Sequence, residues 1–121
     1  MNIEINPGSN DALYTQVHDQ IILGIAKSLL RDGDHLPSVR SLADEIGINM
    51  HTVNKAYALL RDEGFLKLDP RQGAVVKVSR DKKVRPKIQT ELRILTAQAM
   101  LKGISRAEMH DLLDGICDEW S

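Results

Sequence analysis

Apolar residues recur with helical spacing along the first half of the chain. One face of a first helix is formed by five of them, which are Leu13, Val17, Ile21, Ile25 and Leu29. Asn10 or Asp11 is suited to cap this helix, because short polar side chains accept hydrogen bonds from a helix start. The polar turn at residues 31–34 is predicted to follow its end.

Two shorter helices are predicted next, separated by a tight turn. The second runs from about Ser38 to Ile46. Its inward-facing residues are Val39, Leu42, Ala43 and Ile46. Gly47 suits the left-handed residue that ends it, Asn49 suits the cap of the third helix, and Gly64 suits its end. The buried stripe of the third helix is Val53, Ala56, Tyr57 and Leu60. This arrangement is typical of a helix-turn-helix.

Strand-type residues follow the third helix. The runs 65–69 (FLKLD) and 74–78 (AVVKV) have β composition, and Pro70–Gly73 lies between them as a hairpin turn. The hairpin is predicted to form a wing beside the third helix. The fold class is therefore mainly α with a small β-hairpin wing.

A basic segment separates this domain from a helical tail. We predict a domain at 1–78, a linker at 79–87 (SRDKKVRPK) and a tail at 88–121. One tail helix carries Ile88, Leu92, Leu95 and Ala99, and a capping box from Ser105 to Glu108 opens another with Met109, Leu112, Leu113, Ile116 and Trp120. These two helices cannot cover their own apolar faces, so the tail is predicted to dimerise the chain.

Composition excludes several classes of function. The chain has 121 residues, a single cysteine, and no zinc, nucleotide-loop or metalloprotease motif, so no metal, cofactor or enzyme activity is predicted. No apolar run approaches the roughly 18 residues of a membrane span, and no leader is evident, which favours a cytoplasmic protein without membrane contact. His110, Asp114 and Cys117 share one helix face, which would suit metal ligands or a redox sensor. A lone cysteine is more often a partly buried apolar residue, so neither site is predicted. His18 and His35 fall in no motif.

Charge is unevenly distributed although the net charge is only −1. Residues 70–87 hold seven of the 16 basic residues and one acidic residue, which makes this stretch a candidate for phosphate contact or an ordinary charged linker. Hydrogen-bonding side chains also crowd the start of the third helix, at Asn49, His51, Thr52, Asn54 and Lys55. They suit either a solvated, capped helix start or a DNA-reading surface.

The sequence resembles the GntR family of bacterial transcription regulators over about residues 12–78. The matching residues are LPSVRSLA at 36–43, GIN at 47–49, Thr52-Val53, Ala56-Tyr57, Leu60 and GFL at 64–66. The short chain and two-helix tail are similar to the YtrA-like subfamily. The resemblance implies a winged helix-turn-helix that binds a pseudo-palindromic operator as a homodimer, usually as a repressor, with control of nearby transporter genes suggested.

The resemblance also implies which residues contact DNA. Arg40 matches a DNA-contacting arginine and Ser38 a capping position, and asparagine can pair bidentately with adenine while lysine suits the backbone. The expected set is Ser38, Arg40, Asn49, Met50, His51, Thr52, Asn54 and Lys55, with Arg71, Gln72 and Gly73 at the wing tip. Departures from the family pattern occur at Ser28, at Met50-His51 and in the wing, which lacks one glycine and an aromatic residue.

The competing hypothesis is a winged-helix module that binds proteins without sequence-specific DNA binding. Arg40 and the polar start of the third helix distinguish the two, since a protein-binding module has no need of them. An enzyme is disfavoured because no nucleophile and base are paired. The sequence identifies no small-molecule effector. Because the tail is too short for a large closed pocket, any such ligand is expected at a dimer interface or between tail and winged domain.

Overall fold

The computed structural model describes residues 1–9 and 11–120, which form two compact units. The first unit, Met1–Ser79, contains α1 (Leu13–Ala26), α2 (Val39–Ile46), α3 (Met50–Asp62), β1 (Leu66–Asp69) and β2 (Gly73–Val76). The second unit begins at Arg80 and contains a 3-10 turn (Lys82–Val84), α4 (Arg85–Leu101) and α5 (Arg106–Glu119). The predicted class, mainly helical with one β-hairpin, is confirmed.

The core of the first unit forms around α3. The four predicted stripe residues of α3 are all essentially inaccessible to solvent. They pack with residues of α1, α2 and the hairpin, which are Val17, Ile21, Leu42, Ala43, Leu66 and Val76. Burying such side chains contributes on the order of 2 kcal/mol each, so the position of α3 is set by its apolar face.

Both ends of α1 differ from the prediction. Ala12 is the residue before the helix and makes no side-chain cap, while Asp11 lies one residue further out and its backbone N–H donates to the Ser9 hydroxyl. The alternative cap, Asn10, lies outside the described residues. At the other end Ser28 adopts a left-handed conformation (φ 61°), which ends the helix before Leu29 and leaves Leu29 75% exposed.

The N-terminal segment packs on α1, which its polar composition did not predict. Ile3 is buried in the core. The Gln20 amide bonds both the N–H and the carbonyl of Glu4, and the Gln16 amide does the same with Asn6. Two glutamine side chains one helical turn apart therefore pair with the backbone N–H and carbonyl groups of the N-terminal segment, as a neighbouring β-strand would.

The wing is an antiparallel hairpin in which Leu66 is paired with Val76 and Asp69 with Gly73. The second strand ends at Val76, two residues earlier than predicted, and the N–H of Val78 donates instead to the Asp32 carboxylate at 2.7 Å. Residues 33–36 line the outer edge of β2 through backbone hydrogen bonds, including a bridge between His35 and Val75. β2 is therefore hydrogen-bonded on both edges, to β1 on one side and to residues 33–36 on the other.

Two side chains hold the wing turn. The Asp69 carboxylate accepts the backbone N–H groups of Arg71 and Gln72 at 2.7 and 3.2 Å, and these bonds hold the pKa of Asp69 below its ordinary value. On the opposite side the His35 ring donates from Nδ1 to the Gln72 carbonyl at 3.2 Å. His35, which belongs to no sequence motif, thus supports the tip of the wing.

In the second unit α4 begins earlier than the sequence predicted. Residues 82–84 form a 3-10 turn and Arg85–Lys87 belong to the first turn of α4, so the expected linker at 79–87 is shorter. Pro86 explains this, because proline is favoured in a first helical turn, where its missing N–H is not needed. The capping box between Ser105 and Glu108 at α5 is confirmed. No helix in the described ranges is long and apolar enough to cross a membrane.

His18 joins α1 to the end of α3 through a contact with Glu63. Its ring lies 2.8 Å from the Asp19 carboxylate and 2.5 Å from that of Glu63. Burial by itself would lower the pKa of His18, but hydrogen bonds to the two carboxylates outweigh it and the net shift is upward from 6.5.

We expect the free energy of unfolding to fall as pH rises through the folded-state pKa of His18. A raised folded pKa means that the contribution is fully present below the unfolded value of about 6.5 and is lost above the folded value. Urea unfolding across pH 5–9 should therefore show a slope that His18→Gln flattens. His51→Gln, which changes an exposed histidine, is the control, and an unchanged slope in His18→Gln would contradict the assignment.

The Asp69 turn gives a second prediction. Asp69→Ala removes the acceptor of two N–H groups, so amide hydrogen exchange at Arg71 and Gln72 should accelerate severalfold while the α3 core stays protected. Asp62→Ala, an exposed carboxylate on α3 that accepts from the neighbouring Arg61 side chain, provides the control. Equal protection at Arg71 and Gln72 in wild type and Asp69→Ala would show that the strands alone hold the turn.

Candidate nucleic-acid interface

The turn between α2 and α3 determines how α3 is presented. Gly47 is left-handed (φ 72°), and its N–H and that of Ile48 both donate to the Ala43 carbonyl, at 2.9 and 3.1 Å. Asn49 then caps α3, which begins at Met50 after only three residues outside a helix. A turn this short holds the two helices at an angle and leaves the N-terminal end of α3 outside the core.

Tyr57 braces α3 against the start of α2. Its hydroxyl donates to the Pro37 carbonyl at 2.8 Å, one residue before the Ser38 cap. Burial, with a smaller effect from the Glu45 carboxylate, raises the pKa of Tyr57 far above its ordinary value, so the hydroxyl stays protonated and remains a donor. The N-termini of the two helices are thus held in a fixed relation.

The predicted DNA-contact residues of α2 and α3 are on the surface. Thr52 is half-buried, and the others are exposed. Within the described part of the chain, the side chains of Arg40, His51 and Asn54 form no hydrogen bond or ion pair. These three are therefore available to an external partner.

Three other members of the set are already engaged within the protein. The Ser38 hydroxyl accepts the N–H of Ser41 at 3.1 Å and donates to the Ser41 hydroxyl, as its predicted cap role requires. The Asn49 side-chain oxygen accepts the N–H of His51 at 2.7 Å. The Lys55 ammonium lies 4.0 Å above the Tyr14 ring, a cation–π contact with α1. Asn49 is thus placed as a cap, and Lys55 packs against a neighbouring helix.

The field at the two helix starts favours an anion. Neither α2 nor α3 has an acidic residue in its first turn, so the partial positive charge of each N-terminus is not compensated by the protein. Arg40, the second residue of α2, adds a full positive charge there. Free helix N–H groups beside an arginine side chain are a combination suited to a phosphate group.

The wing adds a second exposed element in the first unit. Arg71, Gln72 and Gly73 are all exposed, and Gly73 takes a left-handed conformation (φ 75°). One glycine thus suffices for the turn, although the sequence lacks the second glycine of the family pattern.

The role of His35 could not be predicted from the sequence, because it depends on tertiary structure. The bridge between His35 and Val75 pairs residues that are 40 positions apart in the chain.

Comparison with known proteins agrees with this geometry. Residues 13–76 match the model of the gntR family of bacterial regulatory proteins. The chain is 30% identical over 118 residues to the HTH-type transcriptional repressor YtrA of Bacillus subtilis, covering 94% of this chain and 91% of that protein.

Three solved structures are similar. A transcriptional antiterminator of Listeria monocytogenes EGD-e has a TM-score of 0.89 at 26% identity, covering 100% of this chain and 94% of the other. YtrA from Sulfolobus acidocaldarius, a GntR-family transcription factor, has a TM-score of 0.68 at 42% identity over 82% and 97%. The DNA-binding domain of AraR, solved in complex with operator ORX1, has a TM-score of 0.52 at 27% identity over 60% and 89%. With the family match over residues 13–76, these likenesses show that the chain belongs to the gntR family of DNA-binding transcriptional regulators.

Proposed function

We propose that this chain is a homodimeric transcriptional repressor that acts in the cytoplasm on a pseudo-palindromic operator. The observation that carries the proposal is the start of α3, where unpaired polar side chains stand on a helix whose opposite face is fully buried. A recognition helix enters the major groove by its N-terminal residues. Family membership makes the chain a regulator rather than an enzyme, and the bacillary relative is named a repressor.

Roles within the surface follow from chemistry and exposure. Arg40 at the start of α2 binds a backbone phosphate, assisted by the free N–H groups of that helix. His51 and Asn54 read base edges, and Thr52 contributes a hydroxyl from its half-buried position. Arg71 extends from the wing toward a minor groove, where narrow A·T-rich tracts attract arginine.

The capping residues act indirectly in this proposal. Ser38 and Asn49 position the two helix starts, and Lys55 packs on Tyr14, so their substitution would weaken binding through local structure rather than through lost base contacts. Gln72 and Gly73 shape the wing turn that carries Arg71.

The tail supports the dimer. No residue of α4 or α5 is buried in the described chain, and Leu95 is 58% exposed in the middle of α4. Contiguous apolar surface of this kind marks an interaction site. A second copy is the partner that we propose, because a two-fold dimer would present its two α3 helices to the half-sites of a pseudo-palindrome, spaced by one or two turns of DNA at about 34–36 Å per turn. Repression then follows by steric exclusion of polymerase.

Arg40→Ala tests the DNA interface. Binding of the dimer to its own upstream intergenic duplex should exceed binding to a scrambled duplex by at least about 10³-fold. Arg40→Ala should lower affinity for the native duplex by about 10- to 100-fold and reduce the salt slope by about one for each subunit. Fluorescence anisotropy across a salt series measures both quantities.

Arg61→Ala is the matched control, since it removes the same charge from the last turn of α3, where Arg61 is paired with Asp62 at 3.1 Å. It should leave the affinity nearly unchanged. Equal affinity of the wild-type protein for native and scrambled DNA would contradict the repressor proposal and favour the protein-binding module.

Leu95→Asp tests the dimer. Placing a charge in the centre of an apolar interface, twice by symmetry, should raise the dimer dissociation constant by about 10²-fold or more. Sedimentation equilibrium measures it, and circular dichroism verifies that the variant stays folded. Leu29→Asp, at an exposed leucine of the first unit, should leave the dimer intact. A wild-type chain that sediments as a monomer would refute the tail's proposed role.

A further inference from the structure

Met50 is an apolar side chain in the polar first turn of α3. It is the first residue of the helix and is 41% exposed, between the Asn49 cap and His51. Side chains of a helix lean toward its N-terminus, so the side chain of the first residue projects beyond the helix end. A helix that enters the major groove by its N-terminal end would bring such a side chain to the base edges.

The neighbouring cap increases the importance of this position. Asn49 has its side-chain oxygen on the N–H of His51 at 2.7 Å, which directs that amide back toward its own helix. The Asn49 side-chain oxygen is therefore already occupied, which impedes bidentate pairing of this amide with adenine. Met50 is the first side chain of α3 that no internal hydrogen bond holds.

A thioether chain has one apolar target in the major groove. Each base pair presents donors and acceptors there, and only thymine adds an apolar group, its C5-methyl. Methionine suits such a contact because it is unbranched, polarisable and adaptable in shape. We infer that Met50 of each subunit packs on the C5-methyl of a thymine, which makes this residue a determinant of the operator sequence. The inference rests on the proposed binding of α3 in the major groove.

Thr52 is the only other residue near the start of α3 that offers a methyl group suited to the same contact. Thr52 is half-buried and lies two residues, about half a turn, further along the helix. Met50 is exposed at the N-terminal end of α3. Met50 is also not one of the buried residues that form the core of the first unit. The two residues can be separated by substitution.

The test uses duplexes in which deoxyuridine replaces thymine, which removes the C5-methyl and leaves base pairing intact. The operator fragment is first substituted completely and then at single positions, and anisotropy measures the affinity of the full-length dimer. For wild type, loss of the contacted methyl should lower affinity about fourfold for each half-site. Met50→Ala should bind the thymine duplex as weakly as wild type binds the deoxyuridine duplex, with no further loss on deoxyuridine.

Two control variants make the result specific. Thr52→Ser removes only the Thr52 methyl and should keep the full deoxyuridine penalty. Met50→Leu restores an apolar chain and should recover part of the discrimination. A penalty that persists in Met50→Ala, or that vanishes in Thr52→Ser, would overturn the inference. In either case the preference for native over scrambled DNA remains intact, whereas failure of the proposed function would appear as loss of that preference in wild type.

Discussion

The burial of one face of α3 is the constraint on which the rest of the first unit depends. Its stripe of Val53, Ala56, Tyr57 and Leu60 is enclosed by α1, α2 and the hairpin, which fixes the rotation of the helix about its own axis. Because the stripe occupies one side, the polar residues of the first turn must lie on the other. The buried Tyr57 hydroxyl needs a partner and finds the Pro37 carbonyl, which couples this rotation to the position of α2.

The helix starts show a competition between stability and recognition. Both need short polar side chains at the N-terminus, for capping in one case and for contact with bases or phosphates in the other. In this chain Ser38 and Asn49 serve as caps. Arg40, His51 and Asn54 cap nothing, and they are the residues that we propose for recognition. The division is a general consequence of using helix ends as binding surfaces, since the same free N–H groups that attract phosphate also require internal partners.

Net charge is a poor guide to the partner of this protein. A balance of −1 gives no indication of a nucleic acid, yet the first turns of α2 and α3 carry no acidic residue, and seven basic residues occupy positions 70–87. Attraction to phosphate falls off within about 8–10 Å at physiological salt, so the local arrangement decides binding.

The sequence by itself determined the helices, their apolar faces and the turn between α2 and α3. Spacing predicts the buried stripe of α3, although Leu29 of the predicted first-helix face is exposed. Gly47, Asn49 and the Ser105–Glu108 capping box are local signals, because each depends on residues only a few positions apart. The family resemblance rests on the same local features. Met50 and His51, where the chain departs from that pattern, were identifiable from the sequence, and the expected exposure of the helix start is observed at both.

Only the tertiary structure decided which polar side chains remain free. Gln16, Gln20, His18 and His35 bond with residues 10 to 45 positions away in the chain, and no local pattern encodes such pairs. α1 ends before the left-handed Ser28 and is shorter than its apolar spacing predicted. α4 begins at Arg85, within the segment whose composition indicated a linker, with Pro86 in its first turn. Secondary structure follows from short-range periodicity and capping, whereas the satisfaction of a given hydrogen bond depends on what the folded chain brings within about 3 Å of it.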